Sequence, residues 1–128
     1  MSDYPGMIDA IPQIRQALAS LDTTLTYTIS EQWPRTSIAG NLITVTEITN
    51  ASTGWRCVDD LAYQIDVWAA EADAVRELAP LVNEAVMSIG FRRTAAQQLD
   101  RYDKNGGYFR KALRFGRKID KRFMRLID

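Results

Sequence analysis

The side chains able to do chemistry are few in this sequence, and their types narrow its functions at once. No histidine occurs anywhere in the 128 residues, which removes the usual general base at neutral pH and the commonest metal ligand. Cys57 is the single cysteine; with no histidine to take its proton it reads as a small buried hydrophobe, and no internal disulfide is available to it. Gly106-Gly107 belongs to a turn signal and does not join a strand to a helix N-terminus, so there is no phosphate loop.

Asp59, Asp60, Asp66, Glu71 and Asp73 lie close enough in sequence to imitate a metal-dependent nuclease site. Asp60 and Asp66 would share the strand face that carries Trp68, and no lysine precedes Lys104 to complete such a site. They read as solvated strand and helix surface, with Glu71 and Asp73 placed in the favourable field of a helix N-terminus. The best polyanion candidate is RYDKNGGYFRKALRFGRK, where basic residues interleave with aromatics. Alternation assigns Phe109, Leu113, Phe115 and Ile119 to a core, leaving Tyr102 and Tyr108 as stacking groups and Arg110, Arg114 and Lys118 as a basic outer face. A sequence-specific reader would show a recognisable module. None is present, so this segment supports weak, salt-dependent DNA contact.

The elements that must position these residues follow from hydrophobic period. Leu61, Tyr63, Ile65, Val67 and Ala69 alternate with Ala62, Gln64, Asp66 and Trp68, the period of a strand. Val75, Leu78, Val82, Ala85, Val86 and Ile89 then recur at threes and fours, one face of a helix that Gly90 should stop with a left-handed cap. Pro80 lies inside that stripe, which continues in phase across it, so one kinked helix is expected. Upstream, Ile11, Ile14, Leu18 and Leu21 mark a short helix with Asp9 placed to cap it and Pro12 in its first turn. TLTYTIS and NLITVTEI read as strands, the second ambiguous between an inward face of Ile43 with Val45 and one of Leu42 with Ile48. Phe91, Ala95 and Leu99 share a face, and Asn105-Gly106 predicts a hairpin. The end of the chain is apolar, and Ile119, Phe123 and Ile127 would align if it were helical. The expected fold is α+β in the order α-β-β-β-α-β-β, a mainly antiparallel sheet of about five strands with two packed helices. It forms a single domain over 1–128 with a C-terminal arm at 120–128.

The composition, 46% hydrophobic and 25% charged, is that of an ordinary globular chain. MSDYPGMIDAIP has neither a basic leader nor an apolar core, and no run approaches a membrane span, so cytoplasmic synthesis and no membrane are expected. The zero net charge hides a division: residues 1–90 hold four basic side chains (Arg15, Arg35, Arg56, Arg76) against twelve acidic ones, and residues 91–128 hold twelve basic against four acidic. Such asymmetry points to a nucleic-acid surface, to packing between copies, or to opposite charges meeting within one monomer.

The succession YQIDVWA, then VRELAPLVNEAVMSIGFRRT, then a turn and YFRKALRFGRKID resembles the tail-terminator and tail-completion proteins of long-tailed bacteriophages over about residues 59–120. The resemblance implies a structural virion protein of a siphovirus-like phage, with no catalysis and no cofactor. It implies a homo-oligomer, a hexameric ring that caps the tail tube and joins it to the head connector or a head-completion protein. DNA would pass through the lumen without sequence-specific binding, and the protein would sit at the head-tail interface of the virion. A head-completion or connector-adaptor role is the alternative, and a basic-surface nucleic-acid module comes after it. Two loops, Trp33-Pro34-Arg35 and Thr53-Gly54-Trp55-Arg56, depart from the pattern, as does the tail after Asp120. Trp33, Arg35, Trp55, Arg56, Tyr102, Tyr108, Arg110, Arg114 and Lys118 are the residues expected at a subunit or partner interface, since large aromatics dominate such contacts. Trp68 is read either as a further anchor or as packing against a helix.

Overall fold

The architecture is given by a computed structural model that describes residues 9–34, 40–52, 58–97, 100–101, 108–120 and 125–127. Two helices, α1 (Ile11–Leu18) and α2 (Ala72–Ser88), pack side by side on one face of a sheet. The sheet order is β1 (Tyr27–Ser30), β2 (Asn41–Ser52), β3 (Val58–Ala69), β6 (Phe109–Asp120) and β4 (Arg92–Ala96). Two further pieces, β5 (Asp100–Arg101) and β7 (Arg125–Ile127), also pair with β6. The fold is α+β in the expected order. Every pair is antiparallel except β1 with β2, which run parallel with Tyr27 opposite Asn41.

One face of β3 and β6 builds the core beneath the helices. Leu61, Tyr63, Ile65 and Val67 lie opposite Arg117, Phe115, Leu113 and Lys111, and they pack against Ile14, Leu18, Val75, Leu78, Val82 and Val86. On β2, Ile43 and Val45 take the inward positions opposite Val67 and Ile65, which settles the ambiguity in that strand. A bulge between Glu47 and Thr49 breaks the alternation, and Ile48 is left exposed.

Local signals act largely as expected. The Asp9 carboxylate accepts a hydrogen bond from the Ile11 N–H (3.0 Å), although Ala10 occupies the cap position itself. Helix α2 runs through Pro80 as one element. Gly90 follows it at φ 103°, and the bonds from Gly90 N–H to Met87 O and from Phe91 N–H to Val86 O close its last turn. Beyond Phe91, which is buried, β4 is exposed at all five residues; Leu99 and the turn at 102–107 lie outside the described residues. The apolar end of the chain continues as strand β7 against Lys118–Asp120, not as a helix. Strands β7, β4 and β5 thus lie end to end along one edge of β6. Among the described residues no helix is long and apolar enough to cross a membrane.

Candidate functional site

Strand β3 is central, and from Tyr63 to Ala69 both of its faces are buried. The side turned away from the helices carries Gln64, Asp66 and Trp68, and their surroundings correct the sequence reading. Asp66 is fully buried rather than solvated. Arg110 lies across the strand pair from Trp68, next to Asp66, and its Nε and Nη2 each reach Asp66 Oδ1 at 3.0 Å. Gln64 Nε2 donates to both carboxylate oxygens at 3.2 Å, and the Thr44 hydroxyl also donates. Thr44 Oγ1 accepts from Trp68 Nε1 at 2.9 Å, and Gln64 Oε1 accepts from Arg114 Nη2 at 3.2 Å. Burial raises the Asp66 carboxyl above its ordinary range, with the Arg110 charge and these donors pulling the other way.

Aromatic rings close over this network. Trp68 packs neither on a helix nor into solvent: it meets Trp33 edge-on at 5.4 Å and Tyr108 at 5.7 Å between centroids. The Arg110 guanidinium carbon stands 4.5 Å from the Trp33 centroid and 5.3 Å from that of Trp68. A desolvated guanidinium so placed gains from the ring quadrupoles as well as from its ion pair. Trp33 stays 39% exposed, whereas Tyr108 is 5% exposed and so is not available to stack on a nucleic-acid base. Arg110 is likewise committed to Asp66 and is not part of an open basic face.

The structure therefore brings together Trp33, Tyr108 and Arg110, with Arg114 joined through Gln64 and Lys118 exposed further along the same face of β6. Arg35, Trp55, Arg56, Tyr102 and Cys57 lie outside the described residues. The carboxylates do not converge. Asp59 is buried on the helix face, Asp60 lies on the other face, and Asp66 is six residues along, about 20 Å in an extended strand. Asp73 is paired with Arg76 in the first turn of α2. Among the described residues no three Cys, Asp or Glu side chains are grouped to hold a metal ion.

Sequence reasoning missed Asp66 as the partner of Arg110. An acidic residue between apolar neighbours in a strand was the available signal. No family model matches the chain, and no curated protein matches it.

Proposed function

We propose that this protein is a structural subunit of a phage tail terminator, a ring of identical copies that caps the tail tube and presents a surface to the head connector. The observation carrying this reading is the contrast between the two ends of the sheet. Strands β1 and β4 are its terminal strands, and among the described residues each has one edge without a partner strand. The β1 end holds Glu31, already paired with Arg15 at 3.0 Å. The β4 end holds Arg92 and Arg93, with Lys111 nearby. Edges that differ in charge and sit at opposite ends favour head-to-tail contact, which closes into a ring when the rotation per copy permits.

Catalysis has no part in this reading. The resemblance over residues 59–120 supplies the phage assignment, and the ring size of six comes from that resemblance. The protein would reside at the head-tail joint of the virion. Purified tail tubes and isolated portal vertices separate the terminator from a head-completion adaptor: the terminator is captured by tube ends, the adaptor by the portal. Arg93→Glu at the β4 edge should abolish ring formation, read by light scattering, while leaving the fold intact by circular dichroism.

A further inference from the structure

Among the described residues, the sheet face turned away from the helices is open over its β6 and β4 half, and ring closure through the sheet edges leaves it unused. Gly116 lies opposite Ala62 on one side and Arg92 on the other. Gly116 lies at the floor of a cleft of about 500 Å3, with Asp60, Arg92, Thr94 and Lys118 around it. A Cβ at Gly116 would stand 3.4 Å from the Thr94 methyl, so glycine sets the depth of this cleft. Arg92 and Lys118 are exposed, and neither side chain has a hydrogen bond or ion pair among the described residues.

The cations form a row. Arg114 and Lys118 project from the same face of β6, four residues or about 13 Å apart, and Arg92 stands beside Gly116 midway between them. Asp60 faces Lys118 across the strands and offsets one charge, leaving a net positive trough. We infer that this trough holds the phosphodiester backbone of a nucleic acid. Cations spaced by about 7 Å along a line match a linear, regularly repeating polyanion better than the scattered carboxylates of a protein surface. Planar guanidinium forks suit phosphate oxygens, and the Thr94 hydroxyl adds a donor. Tyr108 and Trp68 are buried at the far end, so the site reads backbone and not base sequence.

The inference does not depend on the ring, and full-length protein tests it by fluorescence anisotropy with a labelled DNA duplex. Wild type should bind at about 50 mM salt and lose affinity steeply by about 200 mM. The double variant Arg92→Gln, Lys118→Gln should weaken binding about tenfold or more at the lower salt and reduce the salt slope by about two. Arg76→Gln, on the helix side, should bind as wild type does. Lys118→Glu is a second variant at an exposed position and should weaken binding more than Lys118→Gln. The inference is overturned by absence of binding at low salt, by equal loss in Arg76→Gln, or by an unchanged double variant. Displacement by polyglutamate as readily as by unlabelled DNA also overturns it, in favour of an acidic protein partner.

Discussion

At the scale of single residues, Asp66 and Arg110 are the pair on which the open side of the sheet depends. Removing one partner of a buried pair leaves a charge in a low-dielectric site, so Arg110→Gln should cost about 3–5 kcal/mol in urea denaturation at neutral pH. The pH dependence has a definite sign. Burial lets folded Asp66 keep its proton more readily than an unfolded aspartate does. Its contribution to stability is therefore largest below the ordinary aspartate range and is lost as pH rises through the elevated folded value. Asp66→Asn, which resembles the protonated acid, should gain in stability relative to wild type as pH rises across the acid range; a gap that does not change with pH there would contradict the assignment. The pair itself was not legible in the sequence. The alternation placed Asp66 and Trp68 on one face correctly, but the pairing with Arg110 spans 44 residues, and only the β3 to β6 register brings it about.

At the scale of elements, the hydrophobic period was a sufficient guide wherever one face met the helices. Val75, Leu78, Val82 and Val86 are buried along α2 as their spacing predicts, and Leu78→Ala should cost about 2–5 kcal/mol through the cavity it leaves. Pro80 lies on the exposed side of the same helix, where it removes a backbone donor and packs little. Pro80→Ala should accordingly stabilise the protein by up to about 3 kcal/mol, read from the shift in denaturation midpoint. What the period could not give was strand direction and edge structure. The ten-residue connection from Ser30 to Asn41 returns the chain parallel to β1, which alternation alone does not encode. The apolar residues near the C-terminus satisfied a helical template as well as an extended one. Pairing with Lys118–Asp120 selects the strand, because it uses backbone groups that β4 leaves open.

At the scale of the whole molecule, the division of charge along the chain is partly resolved within the fold. Pairing β3 with β6 lays the acidic strand of the first 90 residues against the basic strand of the last 38, and Asp66 with Arg110 is an ion pair that results. The positive charge left over sits on the open face and at the β4 edge, where Glu84 of α2 lines the same cavity as Arg93 and Lys111. Unlike terminal strands at the two ends of one sheet are what the proposed head-to-tail ring requires. The most direct test of the terminator proposal is electron microscopy of purified tail tubes from a long-tailed phage after incubation with this protein. The account predicts one ring of protein at one end of each tube, lost in Arg93→Glu. Tubes left bare while the protein stays monomeric at high concentration would contradict it.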